Sequence, residues 1–468
     1  MITKLRTKNF KSWKDSGEIN LAPLTGFFGT NSSGKSSLLQ LFLLMKQTIE
    51  SPDRTQPLLI GGERSLVDLG TFNSILFGHS INRSLELGFT WKLDYSIPID
   101  PSLQKGKAVL KKISSISFDT SLVYEATFKE IVVDAFSYYL HGFKLGMKRD
   151  SYFRNMYIVT YDDRLVKPIP SSNIPQIEPE EKEDIQAPSP IKCYGFPVEI
   201  KDKFYNSNIF SDVVFALEKS FLKVFYLGPL REPPKPWYIW AGKRPQDVGS
   251  KGEHAIAAMM AASIENTLIR TGKNPKNSGK TFQRIISEWL RKMNLIYSYS
   301  LQPIATDRKE YEFLIKTTKN SPNVSLTDVG FGVSQILPVL VLCYYVPEGS
   351  IILLEQPEIH LHPSVQADLA DVLIDVVKER NVQIIVESHS EHLLRRLQRR
   401  IAEKQKISAD QTALYFCRMD KGMSKTERLD VDEFGNIRNW PPNFFGDEME
   451  DLAAQTKAEM KRKMADRR

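Results

Sequence analysis

A short stretch near the start of the chain, Gly29–Ser37, has the residue types and spacing of a phosphate-binding loop. Its sequence, GTNSSGKSS, fits the pattern G-x-x-x-x-G-K-[ST] without a mismatch. Glycines allow a backbone to curl so tightly that its N–H groups point at phosphate oxygens. Lys35 would place positive charge at the β- and γ-phosphates, and the Ser36 hydroxyl suits Mg²⁺. The pattern predicts a nucleoside triphosphate site; the alternative is a glycine- and serine-rich turn without a ligand.

The segments on either side of this loop favour the nucleotide site. Leu21–Phe28 has the apolar character of a strand that enters the loop, and Ser37–Ile49 that of a buried helix that leaves it. The N-terminal dipole of such a helix favours an anion at the same place. The predicted nucleotide ligands are Gly29, Asn31, Ser33, Gly34, Lys35, Ser36 and Ser37, of which Ser36 also serves the metal.

A candidate acid follows an apolar run in the C-terminal third of the chain. Ile351–Leu354 predicts a buried strand, and Glu355 stands at its C-terminal end. Ligands of open α/β sheets bind at that edge, where a carboxylate can hold Mg²⁺ or its water. The alternative is an acidic strand end that faces solvent. We predict Glu355 as a metal ligand, and Glu355, Gln356 and Glu358 as catalytic candidates.

A histidine follows a second apolar run of the same kind. Val382–Val386 predicts another buried strand, and His389 lies shortly beyond it. The ring can bond a γ-phosphate or orient water, so His389 is a further catalytic candidate. A single histidine after a strand is usually structural, but its order and spacing relative to Gly29–Ser37 and Glu355 favour function.

A segment with glycines and a serine, Asp328–Pro338, leads into an apolar helix. Exposed N–H groups and the helix dipole would make a second anion site there, far in sequence from the first. Its candidate ligands are Gly332, Ser334 and Gln335. Glycine-rich helix starts are common, so this segment gains meaning only together with the other motifs.

The chain as a whole has the composition of a globular protein. Its 468 residues have room for two to three domains, and 41% of them are hydrophobic and 25% charged. No apolar run is long enough for a bilayer span, and Met1–Arg6 shows no signal-peptide pattern. The three cysteines form neither a metal nor a disulfide framework. We expect a cytoplasmic protein without a membrane partner.

Two features of the C-terminal region each allow two interpretations. The net charge of +7 is partly carried by Arg395–Arg400 and the tail Lys457–Arg468. These runs are either nucleic-acid surfaces or, more commonly, solvated helix faces, so nucleic acid is a possible partner. Asn436–Gly446 contains Trp440 and a Phe-Phe pair, which form either an aromatic docking patch or a turn that caps the core. We expect the capping turn.

Four segments together resemble the ATP-binding-cassette (ABC) ATPases of the SMC/OLD type: Asn9–Ser12, Gly29–Ser37, Glu355–Pro363 and Glu387–Ser390. The similarity is greatest to the stand-alone ATPases associated with bacterial anti-phage defence. It implies an α/β fold in which an ABC-type P-loop NTPase core carries an antiparallel β subdomain and a short helical insertion. It also implies ATP and Mg²⁺ as cofactors, and a homodimer or higher homo-oligomer in which two copies sandwich two ATP molecules.

The resemblance also assigns roles to the candidate residues. Gly332, Ser334 and Gln335 would form the signature segment that meets the ATP of the other copy. Glu355 would be the acid on the Mg²⁺ side, and His389 the switch histidine that senses the γ-phosphate.

The remaining segments predict how the chain is divided. Residues 84–161 show an antiparallel β pattern, Phe221–Leu227 a strand, and Glu253–Arg270 with Thr281–Met293 a helical hairpin. The proline-rich, acidic composition of 165–192 predicts a surface loop or linker. The predicted units are 1–80 (N-terminal part of the ATPase core), 81–225 (β-rich subdomain with the linker), 226–300 (return strand and helical hairpin), 301–440 (C-terminal ATPase lobe) and 441–468 (basic tail).

One departure from the family pattern bears on the rate of hydrolysis. Gln356 occupies the position where most ABC ATPases place the catalytic glutamate. An amide cannot usefully accept a proton, so water activation must be weak or come from Glu355 or Glu358. We therefore expect slow turnover and stable ATP-bound dimers.

Two functional hypotheses follow. The first is an ATP-switched sensor or scaffold of phage defence that controls a separately encoded effector, such as a nuclease or toxin. The alternative is a DNA-repair or chromosome-associated clamp that ATP closes around a duplex. A transporter subunit has no support in the sequence beyond the shared cassette.

Overall fold

The structure is a computed structural model that describes residues 1–63, 65–98, 112–169, 184–269, 279–404, 406–442, 444–445 and 448–465. Its helices, numbered in chain order, are α1 (Lys35–Glu50), α2 (Phe72–Ile75), α3 (Asn208–Leu222), α4 (Ala255–Ile264), α5 (Phe282–Lys292), α6 (Phe331–Tyr345), α7 (Pro363–Arg380), α8 (Glu391–Ala402) and α9 (Glu448–Ala465). Within the described part of the chain, no helix is both long and apolar enough to cross a membrane.

The described strands, also numbered in chain order, form three sheets and two short pairs. The largest sheet contains β1 (Ile2–Phe10), β2 (Trp13–Asp15), β3 (Ile19–Asn20), β5 (Leu85–Pro98), β6 (Lys112–Glu125), β7 (Glu130–Leu140), β8 (Phe143–Arg149), β9 (Met156–Thr160) and β11 (Gln186–Pro188). The central sheet contains β4 (Leu24–Gly29), β13 (Val224–Leu227), β20 (Ile351–Glu355), β21 (Gln383–Glu387), β22 (Thr412–Asp420) and β23 (Met423–Arg428). The small sheet contains β14 (Tyr238–Ile239), β17 (Ser298–Pro303), β18 (Glu310–Lys316) and β19 (Val324–Ser325). The pairs are β10 (Lys167–Pro168) with β12 (Phe204–Tyr205), and β15 (Leu268–Ile269) with β16 (Lys280–Thr281).

The central sheet positions the predicted site. Its order is β13-β20-β21-β4-β22-β23, and all neighbours are parallel except the edge pair β22 and β23. The strands are apolar almost throughout because both faces of this sheet are covered. Since parallel strands end at the same edge, the ends of β4, β20 and β21 bring Gly29, Glu355 and Glu387 to one edge of the sheet.

Side chains on the two faces of the central sheet belong to two different hydrophobic cores. Ile351, Leu353 and Ile385 point into a core shared with α1, α3 and the largest sheet. Ile352 and Leu354, their neighbours along β20, point into a second core built with α4, α5, α6, α7 and α8. This strict alternation along each strand is what a sheet buried between two layers requires.

The largest sheet joins the N-terminus of the chain to the β-rich region. Its order is β11-β9-β8-β7-β6-β5-β1-β2, with β3 paired to β1, and the strand pairs are antiparallel. The antiparallel β pattern predicted for residues 84–161 is therefore present. Residues on both sides of the unit boundary predicted at residue 80 share this sheet and its core.

Several local predictions need correction. Phe221, predicted to begin a strand, lies in α3, and the strand β13 begins only at Val224. The first helix of the predicted hairpin is shorter than expected, since α4 ends at Ile264 and β15 follows it. Most of the stretch between the two predicted helices, 271–280, lies outside the described residues.

The stretch 165–192, predicted as a surface loop or linker, is partly built into the fold. Its described flanks form β10 and β11, and β11 pairs with β9. Leu165, Val166 and Ala187 are buried in the core under the largest sheet. Residues 170–183 lie outside the described part of the chain.

The aromatic segment near the C-terminus caps the second core, as expected. Phe444 is buried and contacts the rings of Phe28 and Phe416, with centroid distances of 6.3 and 4.8 Å. Trp440 packs against Phe444 at 4.9 Å and carries Arg395 over its outer face. Edge-to-face contacts of this kind stabilise packing beyond the area that they bury.

Candidate nucleotide-binding site

The predicted phosphate loop links β4 to α1, in the strand–loop–helix setting that the motif requires. Gly34 stands directly before α1 with a positive φ of 87°. The Lys35 ammonium folds back over the loop and donates to the carbonyl oxygens of Thr30, at 2.7 Å, and Gly29, at 3.2 Å. This curl points the lysine charge at the space that the loop encloses.

The two motif glycines are required by close contacts as well as by their φ angles. A Cβ on Gly29, which has φ 132°, would lie 2.0 Å from the carbonyl oxygen of Cys417 on β22. A Cβ on Gly34 would lie 2.3 Å from the Ser424 hydroxyl on β23. The Trp13 indole also donates to the Gly34 carbonyl at 3.0 Å. Three strands therefore hold the loop against the end of the sheet.

Two buried carboxylates stand side by side at the ends of β20 and β21. Glu355 and Glu387 are paired in the parallel register. The Ser36 hydroxyl and the Lys35 ammonium lie close enough to Glu387 to favour its charged form. The Tyr226 hydroxyl on β13 and the Lys11 ammonium instead favour the charged form of Glu355. The strand order places Glu387 between Glu355 and the phosphate loop.

Burial makes these carboxylates reluctant to ionise. It raises the pKa of Glu355 to about 7, helped by the charge of Glu387 and opposed by Tyr226, Lys11 and Arg231. Burial also raises the pKa of Glu387, against the effects of Ser36 and Lys35. It lowers the pKa of Lys35, although Glu387 works in the opposite direction. Neighbouring buried acids cannot both hold a negative charge cheaply unless a cation joins them.

Glu358 and His389 connect the two strand ends. One Glu358 oxygen accepts the backbone N–H of His389 at 2.6 Å. Burial and the Lys35 charge lower the pKa of His389, whereas the nearby Gly29 backbone works in the opposite direction. Gln356 has φ 43° and donates its backbone N–H to the Glu387 carbonyl at 2.8 Å. The predicted catalytic residues therefore lie together, next to the phosphate loop.

This edge also holds most of the buried polar atoms that lack a hydrogen-bond partner. Among the described residues, five of the eight such side-chain atoms belong to it: Glu355 Oε1, Glu358 Oε2, Glu387 Oε2, and Nε and Nη1 of Arg231. Each unpaired buried group costs about 1–3 kcal/mol and is rare in native folds. Three carboxylate oxygens and a guanidinium left open at one place fit a site for a cation and an anion.

The residues present fit Mg²⁺ held jointly with a nucleotide rather than by the protein alone. The described residues contain no group of three or more His, Cys, Asp or Glu that could hold a metal ion. Mg²⁺ usually takes one or two protein ligands and completes its shell with water and substrate phosphates. Ser36 with one of the neighbouring carboxylates is such a partial set.

The predicted signature residues lie elsewhere on the chain. Gly332 is in the first turn of α6, and a Cβ there would meet only Leu295, at 3.6 Å. The Ser334 side chain is 5% exposed and donates to the Phe331 carbonyl at 2.9 Å, so its hydroxyl is engaged within the helix. Gln335 is also buried. In the described part of the chain, no hydrogen bond or salt bridge joins this segment to the phosphate loop of the same copy.

Three residues of this edge carry interactions that the motifs did not predict. Glu387 feels the nearby Ser36 hydroxyl, and Glu355 feels Tyr226 and also Arg231, which lies in the loop after β13. Glu387 had a detectable signal, because it ends an apolar strand just as Glu355 does. The segment Tyr226–Arg231 shares the family resemblance, but the resemblance assigned it no role, because only the pairing of β13 with β20 brings it close to Glu355.

A phosphate loop at the end of a parallel strand, with buried acids ending the next two strands, defines a P-loop ATPase. The family model described as "AAA ATPase domain" matches residues 1–167 and 248–394, more than half of the chain, and the chain therefore belongs to this family. Membership supports nucleotide binding and ATPase function. A second model, described as "Protein of unknown function (DUF3696)", matches residues 407–455. No functionally curated protein matches the chain.

Solved structures of SMC head domains are similar to this chain at low identity. One, of an SmcHead bound to the C-winged helix domain of ScpA, is 12% identical with a TM-score of 0.46, covering 92% of this chain and 98% of that one. The SMC head domain from Thermotoga maritima is 14% identical with a TM-score of 0.39 and coverages of 92% and 99%. An Smc head domain with an extended coiled coil, bound to the C-terminal domain of ScpA and derived from Pyrococcus furiosus, is 12% identical with a TM-score of 0.44 and coverages of 92% and 96%.

Proposed function

We propose that the protein is a slowly hydrolysing, Mg²⁺-dependent ATPase of the ABC/SMC type that dimerises around ATP. The observation that carries this proposal is the convergence of Lys35, Ser36, Glu387 and His389 at one sheet edge that holds unpaired buried oxygens. Lys35 and the loop N–H groups would hold the phosphates, and the His389 ring would report on the γ-phosphate. Mg²⁺, when bound, would neutralise charge on the β- and γ-phosphates.

Slow turnover is supported by the state of the groups near the γ-phosphate position. Gln356 offers an amide where a proton acceptor is needed. Glu358 already accepts the His389 N–H at 2.6 Å, and Glu355 lies next to Tyr226, Lys11 and Arg231. The nearby acids are therefore engaged in holding the site, which favours stable ATP occupancy over rapid hydrolysis.

Introducing the missing carboxylate tests this proposal. Gln356→Glu should raise the steady-state hydrolysis rate at least about tenfold, since a positioned general base contributes about 10²–10⁴-fold. Lys35→Ala, the matched negative control, should abolish nucleotide binding in equilibrium dialysis. Fast hydrolysis by the wild type that neither Glu355→Ala nor Glu358→Ala reduces would contradict the account.

Dimerisation through α6 is supported by the surface of its first turn. A Cβ on Gly330 would meet no atom within 4 Å, and one on Gly332 would make only an ordinary contact. Folding therefore does not need the space that a glycine leaves at these positions, and Gly332, which lies within the helix, costs about 1 kcal/mol relative to alanine. Phe331 between them is 69% exposed. A close-fitting second copy would explain both features.

Sedimentation velocity with a non-hydrolysable ATP analogue tests the dimer. The wild type should shift from monomer to dimer when the analogue and Mg²⁺ are added. Phe331→Ala should weaken that dimer about tenfold, as loss of a buried aromatic anchor does. Phe215→Ala, which removes a phenylalanine that is 57% exposed on α3, is the matched control and should change nothing. Equal effects of the two variants would contradict an interface at α6.

We further propose that the ATP-bound dimer acts as the sensor or scaffold of an anti-phage defence system and controls a separately encoded effector. The support is the resemblance of Gly29–Ser37, Glu355–Pro363 and Glu387–Ser390 to the stand-alone defence ATPases. Co-expression with the product of the neighbouring gene should protect a bacterial host from phage, and Lys35→Ala should remove the protection. Protection that persists in that variant would contradict the proposal.

The alternative DNA clamp loses support from the arginine run on α8. Arg396 and Arg400 point inward to Asp371, at 2.8 and 2.6 Å. Arg395 pairs with Glu391 at 3.1 Å, and Arg399 pairs with Glu403 at 2.8 Å. With each guanidinium already paired to a carboxylate, this helix is a poor match for a phosphate backbone.

A further inference from the structure

The two loops that follow β20 and β21 are joined by a side chain from a third element, Gln366 on α7. Its amide nitrogen donates to the Leu361 carbonyl oxygen at 2.9 Å. Its amide oxygen accepts the Ser390 hydroxyl at 2.6 Å. Leu361 lies in the loop after β20, and Ser390 lies in the loop after β21. The donor and the acceptor of one amide are therefore both used to connect the two loops.

The Ser390 hydroxyl has a fixed direction. It donates its single proton to Gln366, and its oxygen accepts the backbone N–H of Leu393 at 3.0 Å, which caps the first turn of α8. Ser390 directly follows His389, the candidate that would report on the γ-phosphate. The backbone next to His389 is therefore anchored to α7 as well as to α8.

The loop after β20 has a conformation that its own residues do not favour. Gln356 and His360 have positive φ angles of 43° and 61°, a region that residues with a Cβ enter only at a cost. The Leu361 N–H closes one turn of this loop on the Glu358 carbonyl at 3.1 Å, and the Leu361 carbonyl takes the bond from Gln366. A strained segment persists only where its surroundings hold it, so the bond from α7 stabilises this conformation.

The same two loops also meet at their inner ends, within the candidate nucleotide-binding site. Gln356 donates its backbone N–H to the Glu387 carbonyl at 2.8 Å, and Glu358 accepts the His389 N–H at 2.6 Å. Substitution of these residues would change the site itself. Gln366 is uncharged, and among the described residues no hydrogen bond joins it to the phosphate loop. It is the link through which the connection between the loops can be tested separately.

We propose that Gln366 is a positioning residue that couples His389 to the loop after β20. The inference rests on the proposed function, in which the His389 ring reports on the γ-phosphate. When ATP fixes His389, Ser390 and Gln366 hold the Leu361 carbonyl, and the loop keeps its strained conformation. Without the amide, ATP still binds, but the loop that carries Gln356 relaxes and hydrolysis loses its alignment.

Steady-state ATPase kinetics compare the full-length wild type with Gln366→Ala and Gln398→Ala. Gln398 is the matched control, because its amide also donates to a backbone carbonyl, that of Gly435 at 2.8 Å, but joins α8 to the C-terminal region. Gln366→Ala should lower kcat about tenfold, since misalignment of reacting groups costs up to about a hundredfold. Its KM for ATP should stay within about twofold, because the phosphate loop is intact. Gln398→Ala should change neither constant.

A double-mutant cycle shows whether Gln366 acts through His389. The kcat of the Gln366→Ala, His389→Ala double variant should lie within about twofold of that of His389→Ala alone, since the two residues would serve one function. Gln366→Glu keeps the length of the side chain but replaces the amide nitrogen with an acceptor. It should behave like Gln366→Ala, because a carboxylate cannot donate to the Leu361 carbonyl.

Binding of a non-hydrolysable ATP analogue with Mg²⁺ separates this inference from the proposed function. Equilibrium dialysis should give the wild type, Gln366→Ala and Gln398→Ala the same affinity. A wild type that neither binds the analogue nor hydrolyses ATP would overturn the proposed function itself. With an active wild type, the coupling is overturned by an unchanged kcat in Gln366→Ala, by losses that add to those of His389→Ala, by equal losses in Gln398→Ala, or by weaker analogue binding in Gln366→Ala. If far-ultraviolet spectra show that the alanine variant is unfolded, Gln366→Met, which keeps the length of the side chain, provides the same comparison.

Discussion

Two buried clusters of charge in this protein are built in opposite ways. At the α7–α8 contact, Asp371 is 0% exposed and is met by Arg400, Arg396 and Lys292, at 2.6, 2.8 and 3.4 Å. At the edge of the central sheet, Glu355 and Glu387 are also buried, but each keeps an oxygen without a partner. We call the cluster around Asp371 the complete cluster, because its carboxylate is paired with cations of the same chain. We call the cluster of Glu355 and Glu387 the incomplete cluster, because each acid keeps an oxygen without a partner among the described residues.

The ionisation of the acids reflects the same contrast. Burial alone would raise the pKa of Asp371, but the hydrogen bond from Arg400 and the charges of Lys292 and Arg396 bring it down to about 2. Burial raises the pKa of Glu355 to about 7, and the negative charge of the neighbouring Glu387 adds to this rise. A cluster with matched charges stabilises the fold, whereas a cluster of like charges prepares a place for a ligand.

The largest effect on stability is expected at the complete cluster. Asp371→Ala removes the buried carboxylate that Arg396 and Arg400 share and leaves each of them with one other partner, so it should lower the free energy of unfolding by about 3–5 kcal/mol. Urea denaturation at pH 7 measures this loss. Asp368→Ala is the matched control, because Asp368 lies on the same helix and, among the described residues, forms a salt bridge with Arg396 alone, at 3.1 Å. The control should lose about 1 kcal/mol or less.

Nucleotide affinity provides the second half of that test. The folded fraction of Asp371→Ala should bind the ATP analogue as the wild type does, since no salt bridge between described residues joins this cluster to the phosphate loop. A stability loss no greater than that of Asp368→Ala would show that the complete cluster does not support the fold as described. A specific loss of nucleotide affinity would show that the two clusters are not independent.

The cluster at the edge of the central sheet should destabilise the fold as pH rises, whereas the cluster around Asp371 stabilises it at neutral pH. A carboxyl whose pKa rises from 4.5 to about 7 on folding binds its proton more tightly in the folded state. Its contribution to stability is therefore full below pH 4.5 and is lost as pH rises through about 7. Glu355→Gln removes this dependence, so the variant should match the wild type near pH 4.5 and exceed it by about 1–3 kcal/mol at pH 8.

Denaturation of the two proteins without nucleotide, at several pH values, measures this difference. Adding the ATP analogue and Mg²⁺ should stabilise the wild type by about 3 kcal/mol when the ligand is a hundredfold above its Kd. Because Glu355 and Glu387 titrate together, the midpoint belongs to the pair. If Glu355→Gln were less stable than the wild type at pH 8, the negative charges of Glu355 and Glu387 would already be balanced by cations of the same chain, contrary to this account.

Local patterns in the sequence were enough to predict the parts of the site that lie on single elements. Gly29–Ser37 forms its loop between strand and helix, and Glu355 and His389 follow buried strands as predicted. These features depend on runs of apolar residues and on glycine conformation, which are visible in a few consecutive residues. The helix α3 was missed at its end, because Phe221 and Leu222 are apolar enough to extend the strand β13 backwards.

The partners of the charged residues could not be predicted in the same way. Whether Ser36 meets Glu355 or Glu387 depends on the order of β20, β21 and β4, which are far apart in sequence. Likewise, Arg400 meets Asp371 only because α7 packs against α8. Charge pairing is decided by non-local packing, and one sequence carries no direct signal of it.

The smallest effect is expected from an arginine that sharpens the contrast between the clusters. Arg231 keeps Nε and Nη1 buried without partners, whereas Arg400 is fully engaged by Asp371 and Glu403. Arg231→Met should change stability by less than about 1 kcal/mol, since replacing an unsatisfied polar group with an apolar one is nearly neutral. Arg400→Met, the matched control, should cost about 2 kcal/mol because it uncovers the buried Asp371.

Arg231→Met should still move the pH dependence of the incomplete cluster. The Arg231 charge opposes the rise in the pKa of Glu355, so its removal should shift the midpoint of the stability curve upward, by about 0.5 pH unit. Arg400→Met should leave that midpoint where it is. An unchanged midpoint in Arg231→Met would mean that Arg231 does not influence the ionisation of the carboxylates. Its buried nitrogens would then serve nucleotide binding alone. An upward shift would confirm that the Arg231 guanidinium acts on Glu355 while its Nε and Nη1 remain available to an anion. The arginines of α8 lack this second capacity, because carboxylates already occupy them.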